Sequence, residues 1–293
     1  MNPGEGEMEM RTSVFTFSDG YTIPYYEWTA TKKAKAVVLG IHGITTDLDQ
    51  WRILASNLAE ALAIDVHVPV LRGYKPNEKH KGHIENMEQY DVDLTEMINE
   101  LKQEYNQVIL LGHSAGCGNV LRGLYLQDLN VGALLLSPFI HPEMNVFRSR
   151  ENAGDGDDGG YKLFQMRTVI AHTLSKLGIK IAESLPVVQV PLREKPMFRD
   201  SAVFQYRLSY RLMMGRFLNP DLAVGYIQKQ KIPIIIGEED EVIDAGKLAH
   251  ALSLSGQKIV QRIQGADHNS VFHHQDSLSR IIDEIRAMMN ISN

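Results

Sequence analysis

The chain has 293 residues, enough to bury a sizeable core in one large α/β domain or two small ones. At 44% hydrophobic and 23% charged it has the balance of an ordinary folded protein, and a formal charge of −6 without a basic stripe argues against nucleic acid or an anionic membrane as partner. A single cysteine, Cys117, excludes an intramolecular disulfide and any cysteine-based metal cluster, and no run is long and apolar enough to span a bilayer. With an acidic N-terminus that has no leader-like apolar core, the expected setting is the reducing cytoplasm.

Residues 1–10 are polar and acidic and are expected to form a flexible tail. Over residues 11–30 two strand-like runs flank Ser18-Asp19-Gly20, a hairpin signal. Residues 34–41 form a buried strand ending in His42-Gly43. Over 49–63, Trp51, Leu54, Leu58 and Leu62 fall on one helical face. A strand over 63–70 ends near Leu71-Arg72-Gly73-Tyr74, and a helix over 85–105 turns Met87, Leu94, Met97, Ile98 and Leu101 inward. The apolar run from Val108 leads into Gly112-His113-Ser114-Ala115-Gly116, and residues 117–125 suit a helix. A strand follows over 131–138. Later come a strand over 232–237, a helix over 245–254, a strand over 258–263 and a helix from about 271 to 289.

This alternation predicts an α/β core: a mostly parallel sheet with helices on both faces, built from residues 11–138 and 232–293. Residues 139–231 break the rhythm and read as an inserted, mainly helical cap, with helices over 161–177 and 201–218 separated by 185–191. The Gly/Asp-rich stretch 152–160 does not match the EF-hand spacing and lacks its closing Glu, so it reads as a solvated loop. The cap is rich in apolar and aromatic residues: Phe164, Met166, Phe198, Phe204, Tyr206, Tyr210, Met213, Met214 and Phe217. They can pack the cap onto the core, line an acyl pocket, or do both with different faces.

Gly112-His113-Ser114-Ala115-Gly116 is the G-x-S-x-G pattern of a nucleophile elbow. Glycines are needed because the serine sits on a very tight strand-to-helix turn. Ser114 is the candidate nucleophile, and such a site also needs a base, an orienting acid and an oxyanion hole. On this kind of elbow the chain order is Ser, acid, His. Asp240 is the chosen acid: it follows the 232–237 strand and precedes the apolar pair Val242-Ile243. Glu238, Glu239, Glu241 and Asp244 compete with it. His268, after the last strand, is the chosen base. His273 and His274 are expected inside the final helix as surface or packing residues. Ile44 and Ala115 are the expected backbone N–H donors to the oxyanion, and Gly43 lets that backbone approach the substrate. His42 is expected to brace the loop, and His113 to point away from the nucleophile and pack.

Together His42-Gly43, Leu71-Arg72-Gly73-Tyr74, the elbow, Gly237-Glu238-Glu239-Asp240 and Gly265-Ala266-Asp267-His268 resemble an α/β-hydrolase. Within that group the chain is similar to the monoacylglycerol lipase, lysophospholipase and serine aminopeptidase branch, over about residues 34–138 and 232–290. Where relatives often carry Arg-Gly-His/Tyr-Gly, this chain has Arg72-Gly73-Tyr74-Lys75. The resemblance implies hydrolysis of a small-molecule ester without metal or organic cofactor. A carboxylesterase or monoacylglycerol lipase-like enzyme acting on an apolar acyl group is the leading reading. Thioesterase and aminopeptidase or amidase activities use the same triad and stay open. A non-catalytic ligand-binding homologue is the rival from another class, and the presence of every triad position stands against it.

Overall fold

The computed structural model describes residues 10–30, 33–44, 48–74, 77, 82–148, 162–190, 207–252 and 259–291. The stretch 152–160 and residues Phe198, Phe204 and Tyr206 lie outside them, as do residues 1–9 of the expected tail.

The first half of the chain runs β1 (Met10–Thr16), β2 (Thr22–Trp28), β3 (Ala36–Ile41), α1 (Leu48–Leu62), β4 (Asp65–Pro69), α2 (Gln89–Glu104), β5 (Gln107–His113), α3 (Gly116–Leu126) and β6 (Gly132–Leu136). The intervening segment holds β7 (Lys162–Leu163), α4 (Gln165–Lys176), β8 (Pro186–Gln189), β9 (Arg207–Ser209), α5 (Tyr210–Met214) and α6 (Pro220–Gln230). The chain then returns through β10 (Ile234–Gly237), α7 (Ala245–Leu252), β11 (Val260–Ile263) and α8 (Gln275–Ile291).

Eight strands form one sheet in the order β1-β2-β4-β3-β5-β6-β10-β11. The β1–β2 hairpin attaches antiparallel to β4, and every pairing from β4 to β11 is parallel. Strands β3, β4 and β10 are buried throughout, which is why β3 and β10 are almost unbroken apolar runs, while β4 carries the buried Asp65 and His67, Asp65 accepting from Ala30 and Tyr105. Helix α1 packs with α8, while α2, α3, α6 and α7 pack in series. The ends of β3, β5, β10 and β11 meet at one edge of this sheet. Loops at the carboxyl ends of parallel strands are where such sheets bind ligands.

Three expectations change. Of the helix expected over 201–218, the described residues from 207 on form the strand β9 followed by the short α5, and residues 186–189 of the expected separator are the strand β8. β7, β8 and β9 form a small antiparallel sheet of their own. The run Val187-Val188-Gln189-Val190 is rich in β-branched valine, and pairing buries Val187, Val188 and Leu208. Ser209 then caps α5, its Oγ accepting the N–H of Leu212 at 3.1 Å. Helix α6 is additional: Asn219 caps it and Pro220 opens it, a start signal present in the sequence. Finally, His273 and His274 precede the last helix rather than lying in it, because residues 270–272 form a separate 3₁₀ turn. That turn buries Val271 and Phe272, so hydrophobic periodicity runs on through a break in the backbone.

A short strap joins the start of the inserted segment to the core. Phe147 bridges Ile243 antiparallel, Arg148 N–H donates to the carbonyl of Val242 at 3.1 Å, and Asp244 N–H donates to that of Val146 at 2.8 Å.

Candidate active site

Ser114 leaves β5 with φ +52°, a left-handed conformation that costs a non-glycine residue about 1–2 kcal/mol. Its neighbours explain how it is held. A Cβ on Gly116 would lie 2.0 Å from the carbonyl oxygen of Ile41, and one on Gly112 would lie 2.7 Å from the Cα of Cys117. Gly112 lets β5 and α3 close on each other at this angle, and Gly116 lets α3 start against the end of β3. The Ser114 N–H donates to the carbonyl of Leu136 at 3.0 Å, and the Ser114 carbonyl accepts from Cys117 and Phe139.

Two loops from the far half of the chain complete the arrangement. His268 Nε2 lies 3.0 Å from Ser114 Oγ, and His268 Nδ1 lies 2.8 Å from Asp240 Oδ2. Asp240 is acceptor only, so Nδ1 carries the proton and Nε2 faces the serine hydroxyl as a base. Asp240 is fully buried, and its Oδ1 accepts the N–H groups of Val242 at 2.9 Å and Ile243 at 2.7 Å. Burial opposes its charge, yet the His268 hydrogen bond and these two N–H groups outweigh it and hold the carboxyl below its ordinary pKa. The apolar pair Val242-Ile243 thus serves through its backbone.

Three of the four competing acids have other partners. Glu238 pairs with Arg262, and Asp244 Oδ1 accepts the N–H of Lys247 at the start of α7. Glu239 is exposed. Glu241 has a role that spacing did not reveal: its Oε2 accepts the backbone N–H of His268 at 3.0 Å. His113 lies under the base. Its Nε2 donates to the His268 carbonyl at 3.0 Å, and its ring packs on His268 and Phe272. Burial, then the nearness of His268, push its pKa down to about 3, so it stays neutral.

His42 braces the loop after β3. The Leu71 N–H donates to His42 Nε2 at 3.0 Å, so that nitrogen is unprotonated, and the proton on Nδ1 is donated to the Gly43 carbonyl at 2.8 Å. Burial and the nearby Arg216 lower its pKa to about 3. A Cβ on Gly43 would come within 3.0 Å of Ser114 Cβ, so this loop passes directly over the serine. Among the described residues, no acceptor takes the N–H of Ile44 or Ala115.

A pocket of about 400 Å³ opens onto Ser114 and His268. Of the expected cap residues, Tyr210, Met213, Met214 and Phe217 line it, joined by Phe139, Phe147, Leu163, Val187 and Val188. Phe164 instead lies among Lys162, Arg167 and Arg207, and Met166 is 76% exposed. Among the described residues no three His, Cys, Asp or Glu side chains could together hold a metal ion, and no helix is long and apolar enough to cross a membrane.

The family described as serine aminopeptidase, S33, matches residues 32–275. The chain belongs to that family. No curated protein matches it by sequence. Among solved structures it is similar to a soluble variant of monoglyceride lipase from Saccharomyces cerevisiae, in complex with a substrate analog. The TM-score is 0.63 at 17% identity, covering 100% of this chain and 97% of that one. A monoacylglycerol lipase from Paleococcus ferrophilus gives 0.60 at 18% identity, covering 98% and 100%. A thermostable carboxyl esterase from Bacillus coagulans, in complex with glycerol, gives 0.61 at 13% identity, covering 97% and 99%. The fold is that of the α/β-hydrolases.

Proposed function

We propose that this member of the S33 family is a serine hydrolase cleaving carboxylic esters of apolar acyl groups through an acyl-enzyme. The observation that carries this is the hydrogen-bonded series Ser114–His268–Asp240 at the floor of an apolar pocket of about 400 Å³. Ser114 Oγ attacks the ester carbonyl as His268 Nε2 takes its proton. His268 returns that proton to the departing alcohol. Asp240 keeps the imidazole in its Nδ1–H form and stabilises the imidazolium. The N–H groups of Ile44 and Ala115 receive the oxyanion. Water, deprotonated by His268, then attacks the acyl-enzyme and frees the acid.

We assign the segment over residues 139–231 to a cap that chooses the acyl group, since Leu163, Val187, Val188, Tyr210, Met213 and Met214 all come from it. The relatives' printed names, monoglyceride lipase and carboxyl esterase, fit an ester substrate. One observation sets esters ahead of aminoacyl amides. Among the described lining residues only Glu241 is a carboxylate, its Oε2 holding the His268 N–H, and the rest of the lining is chiefly apolar, which offers little to a free α-ammonium group.

The test is a p-nitrophenyl ester series from acetate to octanoate, with aminoacyl amides alongside. Each added CH₂ that the pocket buries should contribute about 0.8 kcal/mol, or roughly fourfold in kcat/KM, until the pocket is filled. A flat or falling series overturns the apolar acyl assignment. A fluorophosphonate should label one serine, and no labelling would favour a binding protein.

A further inference from the structure

Arg216 lies in the turn between α5 and α6 and is fully buried. Among the described residues no carboxylate pairs with it. Its Nη1 donates to the carbonyl of His42 at 3.2 Å, the Tyr90 hydroxyl lies close to the guanidinium, and Nε and Nη2 have no hydrogen-bond partner of good geometry there. The faces of Tyr74 and Tyr90, with centroids 4.8 and 5.6 Å from the guanidinium carbon, stand where an anion would. Burying a cation without an anion is costly, so its position calls for an explanation.

The explanation lies in what its hydrogen bond reaches. Arg216 holds the His42 carbonyl. The His42 ring, one residue on, holds the Gly43 carbonyl through Nδ1–H. That carbonyl and the Ile44 N–H belong to one planar peptide, so fixing the first fixes the second. The other donor is tied to the same point, since α3 starts against it: a Cβ on Gly116 would lie 2.7 Å from the His42 oxygen. We propose that Arg216 is a positioning residue for the oxyanion hole, aiming the Ile44 N–H through His42 and Gly43 and placing behind that loop a positive charge that no described carboxylate pairs. The assignment rests on the reading of Ser114 as the nucleophile. The positive charge also disfavours protonation of His42. A proton on Nε2 would repel the Leu71 N–H and undo the brace. Arg216 follows Met213 and Met214 and precedes Phe217, all of which line the pocket, yet it does not itself line it. Its removal should therefore spare ground-state binding.

The experiment compares the full chain with Arg216→Met, which keeps bulk but no charge, and Arg216→Lys, which keeps the charge. Readouts are kcat and KM on p-nitrophenyl butyrate, the inhibition constant of a butyl trifluoromethyl ketone whose adduct on Ser114 carries the oxyanion, and thermal melting. Deleting one direct oxyanion donor costs about 10²–10³ in kcat, so displacing one should cost about 10–100-fold. Arg216→Met should show that loss in kcat with KM nearly unchanged, a parallel loss of ketone affinity, and partial recovery in Arg216→Lys. A rise in KM without loss of ketone affinity would overturn the assignment, as would unchanged kinetics. Should Arg216→Met fail to fold, Arg216→Lys and nitrogen NMR of His42 in the unaltered protein decide. His42 should be neutral and protonated on Nδ1, and a proton on Nε2 refutes the relay. Absence of fluorophosphonate labelling in the unaltered protein overturns the hydrolase reading and this assignment together. Labelling with normal kinetics in Arg216→Met overturns this assignment alone.

Discussion

The two walls of the pocket are built on opposite principles. On the sheet side, Ser114, Asp240 and His268 are each fixed by hydrogen bonds from backbone or side chain, and Asp240 is wholly enclosed. On the inserted side the lining is chiefly aliphatic and aromatic, carried by a three-stranded sheet and short helices. Directional bonds hold reacting atoms at fixed distances, whereas dispersion and burial accept any apolar group of suitable volume. On the proposed function, the first wall sets which bond is broken, and the second sets what is attached to it.

Changes on the sheet side should therefore act on kcat and changes on the inserted side on chain-length preference. Ser114→Ala should cost the most, about 10⁶-fold in kcat, with the fold intact and fluorophosphonate labelling abolished. Labelling that persisted would place the nucleophile elsewhere. Asp240→Asn should cost about 10⁴-fold by presenting the wrong His268 tautomer. Glu239→Gln and Asp244→Asn should change kcat far less, and a larger loss in Asp244→Asn would move the acid. The sheet side should also set acid stability. His42 and His113 hold pKa values of about 3 when folded, against an ordinary 6.5. Between those limits the unfolded chain binds protons that the folded one refuses. Their stabilisation is complete above pH 6.5 and is lost as pH falls toward 3, at up to about 1.4 kcal/mol per pH unit for each ring. Denaturant melts from pH 7 to 4 should show a shallower decline in His113→Gln, and an unchanged slope would refute the neutral buried ring. The smallest effect should come from the other wall. Val188→Phe, filling part of the pocket, should lower kcat/KM for the octanoate ester several-fold and change that for acetate much less. Equal losses on both esters would erase the distinction between the walls.

The same contrast explains what the sequence made legible. The elbow depends on residues within five positions, so steric demand writes it locally as Gly112 and Gly116. Asp240 and His268 each follow a strand on a short loop, where chain order points to them. The apolar pair behind Asp240 singled it out among five carboxylates, and the structure gives that pair a backbone contact with Asp240. The alternating strands and helices were legible because both faces of the sheet are covered. The inserted side was not. The strand β9 and the helix α5 share one short apolar stretch, and pairing with β8 decides where one ends. Glu241 contributes by a backbone contact that no spacing records. Arg216 reaches His42 across 174 positions, a partnership invisible until the chain is folded.

The strap between Val146–Arg148 and Val242–Asp244 bears on how this scaffold can be recombined. It splices the start of the inserted segment, residues 146–148, to the loop that carries Asp240, so those residues belong structurally with the core that holds Asp240. A transplanted specificity module from another hydrolase would have to join after Arg148. Joined before Val146, it would carry away the brace on the Asp240 loop while leaving Ser114, Asp240 and His268 in the sequence. Modularity on this scaffold is therefore set by a backbone pairing rather than by the point where the central sheet is interrupted.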